Sequence, residues 1–162
     1  MFARFISLTL LLLATAALQA QTRPYVTLQA GWPEAVTAGI RIPTGDYTIG
    51  LAAGGGEDWA AASVDLAWHF GGVKKEDTLR PWFLRMPLIF NRYIKKENEE
   101  PKTALRTALR VGYAWFPSPR FGLSLEAGPG VHLYNEFEDD NDPAGQGLGF
   151  EPGGCLTIYV RL

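Results

Sequence analysis

Seven charged residues carry most of the chemistry in this 162-residue chain. Arg41, Arg85, Arg106, Arg110 and Arg161 are cations, and Asp65 and Glu126 are the acids lying well inside segments of alternating polarity. Each occupies the polar position of a period-two pattern, so all seven fall on one face of the sheet their segments would form. Buried guanidinium and carboxylate groups persist only when paired and hydrogen-bonded, and Arg–carboxylate forks are the strong form of that pairing. The first expectation is therefore an interior filled by an Arg–carboxylate network. Five cations against two anions leave three over, and surplus positive charge in a narrow space attracts anions. A narrow, anion-leaning channel is the alternative from the same residues.

Other candidates are weaker. Cys155 is the single cysteine, which rules out an internal disulfide; with no thiol or histidine at metal spacing, it reads as a small buried strand residue. The stretch 136–152 is acidic in Glu136, Glu138, Asp139, Asp140 and Asp142. Counting from Asp140 puts Asp142 third, Gly145 sixth and Glu151 twelfth, a partial calcium-loop spacing. Ala144 fails at the fifth position, Pro143 intervenes and no helix pattern flanks the stretch, so a solvated acidic loop is expected, with no metal and no cofactor. A net charge of −2 with no basic patch gives no reason to expect nucleic acid.

The elements that must position these residues are strands. Eight alternating runs stand between turn residues: 25–32, 35–42, 47–53, 59–70, 81–93, 103–115, 120–135 and 153–162. The breaks are rich in Gly, Pro and Asp, which is turn chemistry. The number is even, and each run is about as long as a tilted membrane strand requires. The last run ends the chain, with Leu156, Ile158, Val160 and Leu162 on one face and Cys155, Thr157, Tyr159 and Arg161 on the other.

Parity gives two contrasting faces. One gathers residues such as Val26, Leu28, Ile40, Leu51, Leu66, Met86, Leu88, Val111 and Leu125, with no charge in any strand interior. The other gathers Thr27, Gln29, Thr37, Thr48, Ser63, His69, Asn91, Ser124, His132 and Tyr159 with the seven charged residues, spaced by Gly and Ala. Alternation does not say which face points outwards; a soluble ligand-binding barrel would put the apolar face inside. Three features favour apolar-out. All five lysines (74, 75, 95, 96 and 102) sit in turns or loops. The polar face holds small residues and arginine, as suits a packed lumen. All five tryptophans (32, 59, 68, 82 and 115) lie at or near strand ends, where an indole meets both hydrocarbon and headgroup. The fold expected is all-β: an eight-stranded, antiparallel, up-and-down transmembrane β-barrel.

Compartment follows from the N-terminus. Arg4, an apolar core from Ile6 to Ala17 and Leu18-Gln19-Ala20 before Gln21 read as a secretory signal peptide, the core being too short to span a membrane. Residues 1–20 are then the signal peptide and 21–162 the barrel.

Leu84-Arg85-Met86-Pro87-Leu88-Ile89-Phe90, Phe121-Gly122-Leu123-Ser124-Leu125-Glu126-Ala127-Gly128 and the Tyr159–Leu162 ending resemble strands of the small outer-membrane β-barrel domain family, the PorT-like, OmpA- or OmpX-sized barrels. Many members end in Phe, where this chain has Leu162. The resemblance implies insertion in the bacterial outer membrane by the barrel-assembly machinery and no defined enzymatic activity. With strand one starting in the periplasm in this topology, loops 33–34, 54–58, 94–102 and 136–152 face outside; the expected role is structural or interaction through those loops, with lipopolysaccharide, met by Lys95 and Lys96, and an unidentified protein as partners of a monomer. His132-Leu133-Tyr134-Asn135 also looks like the His-x-Ser-Asn motif of outer-membrane lipid A deacylases, where serine is the nucleophile and histidine its base. Tyr134 stands in the serine's place and parity turns His132 into the lumen, so a lipid A-modifying enzyme lacks its nucleophile here.

Overall fold

The computed structural model describes residues 23–73, 78–93, 101–135 and 150–162. The expected signal peptide, the lysines 74, 75, 95 and 96, and Asp140 and Asp142 lie outside the described residues. The strands are β1 (Tyr25–Trp32), β2 (Ala35–Thr44), β3 (Tyr47–Gly55), β4 (Trp59–Phe70), β5 (Trp82–Tyr93), β6 (Lys102–Ala108), β7 (Arg110–Ser118), β8 (Phe121–Asn135) and β9 (Phe150–Arg161). Apart from β6 and β7, neighbours in the chain pair antiparallel, and β9 pairs with both β8 and β1, so the sheet closes on itself. β6 and β7 both lie between β5 and β8, which makes a closed barrel of eight strands.

The interruption between β6 and β7 has a simple cause. Leu88 faces Thr107 and Arg85 faces Arg110, so the register against β5 runs unbroken through Ala108 and Leu109. Pro87 therefore stands opposite Ala108 on one side, and on the other Leu109 donates its amide to the Pro129 carbonyl (2.9 Å). Proline has no amide hydrogen to return, so both flanking ladders lose rungs at the same height. The Thr107 hydroxyl donates to the Pro87 carbonyl (3.0 Å), recovering one contact. Elsewhere the β2–β3 hairpin turns at Gly45, whose φ of +66° suits a glycine.

Burial decides the direction of the faces. Every residue assigned to the polar face is buried except His132 and Arg161, which are half-buried, and no residue named for the apolar face is buried. Leu28 is 49% exposed and Leu125 67%, while Arg41, Arg85 and Arg110 are fully enclosed. The barrel is inverted relative to a soluble protein: charge inside, aliphatic surface outside.

The two ends differ. Residues 24 and 162 lie together at one end, joined by the Leu162 amide and the Pro24 carbonyl (3.0 Å). This near end is closed inside by Tyr25, Phe83, Phe116 and Tyr159, with Leu79 from the β4–β5 connection packed among them. Ring centroids of Tyr25, Phe116 and Tyr159 are 5.7–5.9 Å apart. Outside, the same end carries Tyr47, Trp68, Trp82, Tyr113 and Trp115 as an aromatic belt. Trp32 and Trp59 lie at the far end.

Packing at the near end makes Gly112 on β7 a sensitive position, because a Cβ there would overlap the Phe83 ring. Gly112→Val should lower the stability of the folded barrel by about 1–3 kcal/mol through overpacking. Ala127→Val, at an outward position of β8, should leave it nearly unchanged. Urea titration in detergent, read by the gel shift between folded and unfolded forms, checks both; equal stabilities would refute the tight aromatic closure.

Candidate functional site: the charged interior

Five of the seven expected residues meet at mid-barrel in one alternating chain of charge. From β2, Arg41 reaches Asp65 on β4 (3.3 Å) and donates to the Tyr159 hydroxyl on β9 (2.7 Å). Asp65 Oδ2 also accepts from Arg85 Nη2 on β5 (2.9 Å), and Arg85 Nη1 pairs with Glu126 on β8. Glu126 then accepts from Arg110 Nη1 on β7 (3.0 Å). Arg85 Nη2 donates to Gln29 Oε1 of β1 as well (3.0 Å), and Ser124 of β8 meets the Tyr159 hydroxyl (3.0 Å). The network thus ties β1, β2, β4, β5, β7, β8 and β9 across the lumen. Even β3 contributes by omission: a Cβ at Gly50 would strike the Asp65 carboxylate.

The chain of charge ends on a residue outside the expected set. Glu34, in the β1–β2 turn, is fully buried and grips Arg110 through both oxygens, Oε1 to Nη1 at 2.5 Å and Oε2 to Nη2 at 3.0 Å. Turn 33–34, at the far end, thus folds into the barrel mouth and does not stand clear of it. The turn is drawn in by two further bonds, Arg110 Nη2 to the Trp32 carbonyl (3.1 Å) and Asn91 Nδ2 to the Pro33 carbonyl (3.0 Å). With Glu34 included, the three arginines at mid-barrel face three buried carboxylates. The expected surplus of cations is absent at that level. One signal for Glu34 was present in the sequence: three unmatched arginines require anions, and Glu34 is the acid in the shortest turn beside them.

The other two expected residues stand apart. Arg106 lies toward the far rim, its Nε 3.8 Å from Glu151 and its guanidinium over the Trp32 ring. Arg161 sits over the Tyr25 ring toward the near end. Glu151, counted above as the twelfth position of a calcium loop, belongs to β9. It accepts from Trp32 Nε1 and from His132 Nε2, both at 2.8 Å. Among the described residues no group of three or more His, Cys, Asp or Glu is placed to hold a metal.

The histidines separate as parity implied. His69, near the Phe83 ring, donates from Nδ1 to the Arg80 carbonyl (3.1 Å), so Nε2 is left to accept from the Thr48 hydroxyl (3.3 Å). His132 has a carboxylate partner, while the register places Tyr134 on the opposite face of the sheet. The register shifts between Leu105 and Arg106, so Arg106 faces His132 while Leu105 faces Tyr134, and Leu133 is the extra residue of a bulge. Tyr134 thereby points outwards beside Leu105.

Comparisons of the chain with protein-family models, with curated proteins and with solved structures find no match.

Removing one partner from a fully buried pair leaves an uncompensated charge. Glu34→Gln should therefore cost about 3–5 kcal/mol of unfolding free energy. Glu151→Gln, at the partly exposed rim, should cost no more than about 1 kcal/mol. Equal small losses in a urea titration would mean that Glu34 does not complete the network. The double variant Glu34→Leu with Arg110→Leu should recover part of the loss, since it removes both charges together.

Proposed function

We propose that the protein is a monomeric outer-membrane β-barrel with a closed lumen, acting as a structural or interaction protein through its far-end loops and without catalysis of its own. The observation that carries this reading is the inverted partition: large aliphatic and aromatic side chains cover the outside of a closed sheet while arginine and carboxylate fill the inside. Exposing such a wall to water would be unfavourable at roughly 25 cal/mol per Å² of apolar surface, whereas hydrocarbon accepts it. A closed sheet leaves no unpaired edge, the condition for crossing a bilayer with strands. The near-end belt of Trp68, Trp82, Tyr113 and Trp115 fits one interface.

Kinship with the PorT-like, OmpA- or OmpX-sized barrels is part of this proposal, supported by the strand number and the closing role of β9. The orientation follows that pattern, with the near end in the periplasm and lipopolysaccharide around the far half. Assembly would go through the barrel-assembly machinery after removal of residues 1–20. A closed lumen is preferred to a channel because the mid-barrel charges balance and the aromatic cluster fills the near mouth.

The unheated protein should fractionate with outer membranes and migrate differently on a gel from the boiled protein. Planar bilayers containing it should stay electrically silent. A soluble periplasmic product would defeat the membrane reading; steady anion-selective steps would defeat the closed lumen alone.

A further inference from the structure

The outer wall is not uniformly convex. Ala38, Ala53 and Ala62 face one another in register across β2, β3 and β4, so a row of single methyl groups lies on the outside. One rung toward the near end stand Ile40, Leu51 and Val64, and beside Ala62 stand Phe90 and then Leu105. A low floor between tall rims makes an apolar groove of about 620 Å³, within the range of pockets that hold small ligands. It extends along β2 from Ala38 to Ile42, four rises of a strand or ~13 Å, close to the depth of one leaflet of hydrocarbon.

The groove rises from Ile42 and Ile49, just above Tyr47 of the near-end belt, to Ala62, Phe90 and Leu105 in the far half, and its chemistry changes sharply at the top. On β5 the outward residues are Trp82, Leu84, Met86, Leu88 and Phe90, followed by exposed Arg92. Arg92 therefore stands about 7 Å beyond Phe90 along the strand, where the apolar band ends and headgroups begin. An apolar groove beneath a guanidinium complements an acyl chain carrying a phosphate above it, since arginine meets phosphate in two parallel hydrogen bonds.

We propose that this groove holds one acyl chain of lipopolysaccharide, with Arg92 on a lipid A phosphate. The inference rests on the membrane reading above and names the lipid and the wall that binds it. Occupancy adds a positioned lipid to a barrel whose interior is occupied by the charge network and the aromatic cluster, and it places the recognition surface on β2–β6.

The full-length protein, purified from outer membranes in mild detergent, should carry one tightly held lipopolysaccharide per barrel, counted by native mass spectrometry and by 3-hydroxy fatty acid analysis. Ala62→Phe, which fills the floor, and Arg92→Gln, which removes the charge, should each lose that lipid. Ala127→Phe, on the wall formed by β8, should keep it. All three variants should remain in the membrane fraction with an unchanged gel shift, which separates loss of the site from loss of the barrel. Equal retention by all variants, retention of phospholipid instead, a wild type free of lipid, or a crosslinked dimer joined through Ala53 would each overturn the proposal. Absence of the wild type from membranes would overturn the membrane reading itself.

Discussion

Everything in this barrel depends on neutralising charge in a space that eight strands leave only wide enough for side chains. Arg41, Arg85 and Arg110 point inwards from three different strands, and Asp65, Glu126 and Glu34 alternate with them. Each shared oxygen forces two strands into a fixed relative height. Such a network need not add net stability, since desolvation offsets most of the attraction. Its effect is on specificity: a slip of one residue would swing an arginine onto the apolar face and strand its carboxylate inside.

The same constraint explains the small residues. Gly50 gives the Asp65 carboxylate its place, and Gly112 does the same for the Phe83 ring. Large side chains cannot occupy every inward position of a narrow barrel, so bulky groups on one strand are met by glycine or alanine on the next. Outside no such limit operates, and bulky residues cover most of the wall. The Ala38–Ala53–Ala62 row departs from that rule where nothing inside requires it, which is why it draws interest as a binding surface.

Most of the architecture was legible in the chain because strand parity is a local property. Six of the eight anticipated runs match the strands to within about two residues, ordinary uncertainty for strand ends. Two were altered by non-local effects. The run 103–115 is cut at Leu109 by prolines on both neighbouring strands, and β9 starts at Phe150 rather than 153 because β8 continues far enough to pair with it. The bulge at Leu133 is likewise invisible in a single strand, since it is defined by two residues facing one.

By itself the sequence determined two faces, eight runs and the seven charges on the polar side, because side-chain direction along a strand repeats every two residues whatever the partner. Tertiary structure decided which face lies inside, since only a closed sheet has an interior. It also decided the pairing of the charges. Glu34 lies in a turn, where parity says nothing, and only the convergence of β1, β2 and β7 at one level brings it onto Arg110. That contact balances the charges at mid-barrel, three arginines against three carboxylates.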